Sequence, residues 1–162
     1  MSMGNDGSGT MGETVLVAVS KTDDRRLDRL TETATDAVDP DGRVAVVHVF
    51  DRDRYDELTA QLNVSSDGEF GPDDLARRHG VASDIADRLA DASVDAEVLG
   101  GVGDESDTIL DLREELGADH LVIGGRKRSP SGKALFGSTA QTVLLEADCP
   151  VTFVKARSGS TA

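Results

Sequence analysis

The run Leu121-Val122-Ile123, closed by Gly124-Gly125, limits the fold more than any other stretch. Three apolar side chains in succession leave an extended segment no face for water. Such a run is a strand covered on both sides, as strands are in a parallel sheet flanked by helices. Gly137-Ser138 then opens a helix, with Ser138 at the N-cap and Gln141 three residues on, the S-x-x-Q pattern of a capping box. Ala140, Val143, Leu144 and Ala147 give that helix an apolar stripe. Cys149-Pro150 stops it, and Val151-Thr152-Phe153-Val154 alternates as a final strand. The unit from Asp119 to Lys155 thus reads strand, glycine-bearing loop, helix, strand.

Charge gives this unit its chemistry. The chain has 31 acidic residues, yet none falls between His120 and Leu145, where Arg126, Lys127, Arg128 and Lys133 lie. A cationic loop leading from a strand's carboxyl end to a helix N-terminus is a place to hold an anion, most often a phosphate. The plainer alternative is a solvated basic loop with no ligand.

The rest of the chain repeats the same alternation. Thr14 to Val19 is a β-branched first strand, and Ser20 to Asp24 a turn into a helix with acids in its first turn. Leu27, Leu30, Ala34, Ala37 and Val38 mark the apolar face of that helix, which Pro40-Asp41-Gly42 ends. Arg43 to Val49 is a second buried strand. The polar segment from Phe50 to Gly71 reads as a surface excursion with one short helix over Tyr55 to Leu62. Gly71-Pro72 starts a long helix carrying Leu75, His79, Ala82, Ile85, Ala86 and Leu89 on one face. Val94 to Leu99 is a third strand near a sheet edge, Gly100 to Gly103 a turn, and Asp104 to Leu116 a helix capped by Gly117. The order β-α-β-α-β-α-β-α-β predicts an α/β fold: a parallel sheet, right-handed crossovers and helices on both faces. The loops at Ser20 and Gly124 are then the walls of the crevice in which such sheets bind ligands.

At 162 residues one domain is expected, over residues 13–155, with a Gly/Ser-rich tail over 1–12 and a short tail over 156–162. Only 3% of residues are aromatic, so the core is aliphatic. Single Cys149 excludes an intramolecular disulfide and reads as a small buried hydrophobe. The net charge is −14, Asp outnumbers Glu, and lysines are few beside arginines. That pattern points to a cytoplasm of very high salt, where surface carboxylates keep a protein soluble. It also argues against nucleic acid and anionic membranes as partners. No leader-like apolar segment and no membrane-length run is seen, which places the protein in the cytoplasm.

Other phosphate and catalytic motifs fail on spacing. Gly132-Lys133 is followed by Ala134 and lacks the upstream glycine of the G-x-x-x-x-G-K-[ST] loop. Gly101-Val102-Gly103 lacks the third glycine of a dinucleotide fingerprint. His48, His79 and His120 have no metal-pair spacing and read as packing or surface residues. No catalytic residue and no metal ligand is assigned.

The glycine loop resembles that of the universal stress protein family. There the pattern is a glycine, two residues, a second glycine, nine residues, then Gly-Ser or Gly-Thr, and here Gly124 and Gly137-Ser138 stand at its first and last positions. The resemblance covers Glu13 to Lys155, including Val47-His48-Val49, Ala118 to Gly124 and Cys149-Pro150-Val151. It implies a Rossmann-like fold of the adenine nucleotide alpha hydrolase type, with strand order 3-2-1-4-5. It also implies homodimers paired through the last strand, here the edge strand Val151 to Val154. The nucleotide-binding positions it carries over are Ser20, Val49, Gly124, Lys127, Gly137 and Ser138. ATP or AMP is the implied ligand, with Mg2+ as the companion ion of ATP. Two positions depart: Ser20 replaces an Asp, and Lys127 replaces the second glycine.

Two functions are therefore expected. One is a stress-response regulator holding an adenine nucleotide, with Ser20 and Val49 around adenine and ribose. Gly124, Lys127, Gly137 and Ser138 then surround the phosphates, and Arg126, Arg128 and Lys133 offset their charge from the rim. The other is a dimeric interaction module of the same fold that binds no nucleotide. An enzymatic role, at most a slow ATPase, has the least support in the residues.

Overall fold

The computed structural model describes residues 13–20, 23, 26–62, 71–125 and 138–155. Strands β1 (Thr14–Ala18), β2 (Arg43–Phe50), β3 (Asp95–Val102), β4 (His120–Gly125) and β5 (Val151–Lys155) form one sheet. Its order is β3-β2-β1-β4-β5, and each neighbouring pair is parallel. The expected 3-2-1-4-5 arrangement is the one observed. Between the strands, among the described residues, run α1 (Leu27–Ala37), α2 (Arg52–Gln61), α3 (Pro72–Arg77), α4 (Gly80–Asp91), α5 (Glu105–Leu116) and α6 (Ser138–Glu146).

The two-residue period of the strands sorts their side chains into two cores. Val15, Val17, Val44, Val46 and Val122 face Leu30 and Ala34 of α1 and Ile85 and Leu89 of α4. Leu16, Ala18, Ala45, Val47, Leu121 and Ile123 face Ile109 of α5 and Ala140 and Val143 of α6. With both faces covered, the central strands have no polar side to show, which is why Leu121-Val122-Ile123 reads as unbroken hydrophobe. Cys149 packs at the margin of the second core, and burial pushes its thiol pKa up.

Three sequence expectations are corrected. The long helix from Pro72 is two helices, because His79 leaves helical geometry (φ −77°, ψ 121°) and caps α4 instead of continuing α3. Its Nδ1 accepts from the Ala82 N–H at 3.4 Å. Gly100 and Gly101 are not a turn; β3 runs on to Val102, its residues paired with His48 to Phe50 of β2. A Cβ on Gly100 would run into the Pro72 backbone, and one on Gly101 into Thr108 Cγ2 at 2.5 Å. Those glycines admit neighbours rather than bend the chain. Finally, Leu144 is exposed beside the buried Val143, and Leu145 is 77% exposed. The helix expected near Tyr55 is present as α2, its N-cap Asp51 accepting from the Arg54 N–H. Gly117 closes α5 in the left-handed region (φ 65°), as expected. The two tails fall outside the described residues.

Candidate functional site

Strand order reverses at β1, which has β2 on one side and β4 on the other. Ligands of open α/β sheets sit at such a reversal, beyond the strands' carboxyl ends. The register that pairs Ala18 with Ile123 sets the two strand exits, Val19-Ser20 and Gly124-Gly125, side by side. Val49, half-buried, is the last residue but one of β2, the next strand over. Three sequence-predicted residues, Ser20, Val49 and Gly124, are therefore gathered at three adjacent strand ends. Arg126, Lys127 and Gly137 lie outside the described residues, as do Arg128, Lys133 and the side chain of Ser138. The helix α6 itself begins at Ser138.

The crevice also holds two side chains that the sequence did not mark. Asp23 is 3% exposed and Arg26 6% exposed, and Arg26 Nε donates to Asp23 Oδ1 at 2.5 Å. The other carboxylate oxygen accepts the Ser20 N–H at 2.7 Å and meets Ser20 Oγ at 3.4 Å. This pair stands over Gly124: a Cβ there would collide with Asp23 Oδ1 and lie 2.7 Å from Arg26 Nε. A side chain at 124 would therefore have to displace the ion pair above it. Losing one partner of a buried pair strands a charge, which costs about 3–5 kcal/mol.

On the β2 side, His48 donates Nδ1–H to the Val19 carbonyl at 2.9 Å, since a carbonyl can only accept. It thereby holds the exit of β1 in place. Its ring stacks on His79, centroids 3.8 Å apart and planes 18° apart, and meets Phe50 edge-on at 4.6 Å. Burial lowers the pKa of His48, against the Val19 hydrogen bond and the charges of Glu105 and Asp23. Burial, then the neighbouring His48, lowers that of His79 to about 4. Both rings are neutral near pH 7, and stacking without repulsion follows from that. At the starts of α5 and α6, Thr139 Oγ1 donates to Glu105 Oε1 at 2.9 Å. The Asp107 N–H, as the main cause, holds the α5 cap Asp104 below the usual carboxylate pKa.

A family model described as the universal stress protein family matches residues 11–155. The chain belongs to that family. A universal stress protein of Mycolicibacterium smegmatis is 37% identical over 121 residues, 74% of this chain and 92% of the relative. Among solved structures, a universal stress protein from Archaeoglobus fulgidus superposes with a TM-score of 0.61 at 29% identity, covering 88% of this chain and 98% of that one. Another, from the same organism and in complex with dAMP, gives a TM-score of 0.59 at 24% identity, over 90% and 99% of the two chains.

Where the family resemblance leads one to expect an Asp and Ser20 stands, the structure of this universal stress protein brings a carboxylate to the strand exit from three residues on. Asp23 was hidden in the sequence among so many surface acids. What could have singled it out is the spacing Asp23-x-x-Arg26, an i, i+3 ion pair directly after a strand. His48 and His79, 31 positions apart, could not be joined by spacing at all.

Proposed function

We propose that this universal stress protein is a stress-response regulator that holds an adenine nucleotide, ATP or AMP, at the carboxyl ends of β1, β2 and β4. The observation that carries this reading is the convergence of Ser20, Val49 and Gly124 on the point where strand order reverses, with α6 opening nearby at Ser138. A helix N-terminus favours an anion there. The dAMP complex of the Archaeoglobus relative supports adenine nucleotides as the ligand class. In this reading Ser20 and Val49 face the nucleoside, while Gly124, Arg126, Lys127, Gly137 and Ser138 surround the phosphates. Lys127 acts as a point charge where the family pattern has glycine. Among the described residues no three His, Cys, Asp or Glu side chains gather into a metal cage, so Mg2+ would arrive with ATP. Titration calorimetry with AMP and ATP in molar KCl tests the reading. Saturable heat is expected; no heat, with no nucleotide in the purified protein, overturns it.

A homodimer paired through Val151 to Val154 belongs to the same proposal. The sheet ends in β5, Val151 to Phe153 are partly exposed, and Leu145 projects from the preceding helix. An apolar edge strand invites pairing. Light scattering at micromolar concentration should give twice the chain mass of 17.0 kDa; a monomer there overturns the dimer.

A further inference from the structure

The buried Asp23–Arg26 pair is the strongest feature of the crevice that the family pattern does not account for. Buried ion pairs seldom add net stability over well-packed apolar residues, so stability alone is a weak reason for one here. Its position is specific: it occupies the space above Gly124, at the strand exit opposite Ser20. Among the described residues, its two halves are also held unequally. Asp23 is anchored on both oxygens, by Arg26 and by the Ser20 backbone N–H. The bond to Asp23 uses one of the five N–H donors of the guanidinium, whose planar fork suits the oxygens of a phosphate.

We propose that Arg26 is an anion-receiving side chain of the crevice, that its ligand is the phosphate of the bound nucleotide, and that Asp23 is its exchangeable counter-ion. This rests on the nucleotide reading above and adds to it a residue and a form of control. Before binding, Asp23 neutralises Arg26 and the pair covers Gly124. A phosphate entering the crevice takes over the guanidinium and uncovers the glycine. The carboxylate then competes directly with the ligand, and it sets an affinity threshold for anionic ligands but not for uncharged ones. The bulk salt that screens surface charges has little access to a pair this buried, so the competition persists at high ionic strength.

Calorimetry with AMP, ATP and adenosine on the full chain in molar KCl tests this. Asp23→Asn keeps an oxygen for the Ser20 N–H and removes the competing charge. It should tighten AMP and ATP about tenfold and leave adenosine unchanged. Arg26→Met should weaken AMP and ATP about tenfold or more, again sparing adenosine, and the double variant should match Arg26→Met. Thermal melts check that each variant is folded; if Arg26→Met does not fold, Asp23→Asn alone decides. Weaker AMP binding by Asp23→Asn, or equal changes for AMP and adenosine, overturns the inference while leaving the nucleotide reading intact. Absence of binding by wild type and Asp23→Asn alike overturns both.

Discussion

The stacked histidines show how much a single side chain's surroundings decide. An imidazole in water titrates near pH 6.5, whereas His79 is lowered to about 4 by burial and by His48. A folded-state pKa below the unfolded value means that the unfolded chain takes up the proton first. Stability from the neutral ring is complete above pH 6.5 and is lost as pH falls from 6.5 to about 4. His48 shifts in the same direction, with Glu105 and Asp23 partly opposing it. The ring of His79 is only partly buried, so solvent discounts the effect to about 1 kcal/mol. His79→Asn keeps a cap for α4 and removes the titration. Urea unfolding at pH 7 and pH 5 should show wild type losing more stability than the variant, and parallel losses would refute the assignment. This pair and the Asp23–Arg26 pair mark where sequence reading stops. Ser20 and Gly124 are legible from strand ends and glycine spacing, which are local signals, and Val49 only through the family resemblance. Burial of Asp23, and the meeting of His48 with His79, depend on how distant segments pack.

At the level of elements, the strands and most helices follow from local pattern because both faces of the sheet are covered. Unbroken apolar runs then mean strand, and 3.6-residue stripes mean helix. The errors fall where a residue type has two uses. Gly100-Gly101 looks like a turn but lets Pro72 and Thr108 approach β3. His79 fits a helical stripe, yet its stack on His48 and its bond to Ala82 N–H favour a break. Gly117 has one use only. At φ 65° it places its N–H on the Arg113 and Glu114 carbonyls, while Arg113 Nη1 donates to Ala118 O at 3.0 Å. Among the described residues no neighbour lies within 4 Å of a Cβ added at Gly117, so the expected cost of a side chain there is conformational. Gly117→Ala should lower unfolding free energy by about 1 kcal/mol, and Gly117→Asn by less, since Asn enters the left-handed region more readily. Equal losses in chemical denaturation would mean that packing, not backbone geometry, sets the cost.

For the molecule as a whole, a net charge of −14 on 162 residues works against compactness. Among the described residues the surface offers little to offset it. Arg43–Glu97, Arg54–Glu57 and Arg77–Asp74 are exposed pairs at 2.9–3.2 Å, and such pairs are worth about 0–1 kcal/mol each. Screening is the remaining remedy. The Debye length falls from about 10 Å at 0.1 M to about 3 Å at 1 M, short enough to uncouple carboxylates on neighbouring turns. The melting temperature should therefore rise steeply with KCl at low concentration and level off as 1 M is approached. Two mechanisms can raise it, and the anion tells them apart. Charge screening depends on ionic strength, so KCl and potassium sulfate matched in ionic strength should act alike. Salting-out of the aliphatic core would instead climb without levelling and favour sulfate. A melting temperature that falls on adding KCl would show that self-repulsion does not limit this fold, and the high-salt cytoplasm inferred from the composition would fall with it.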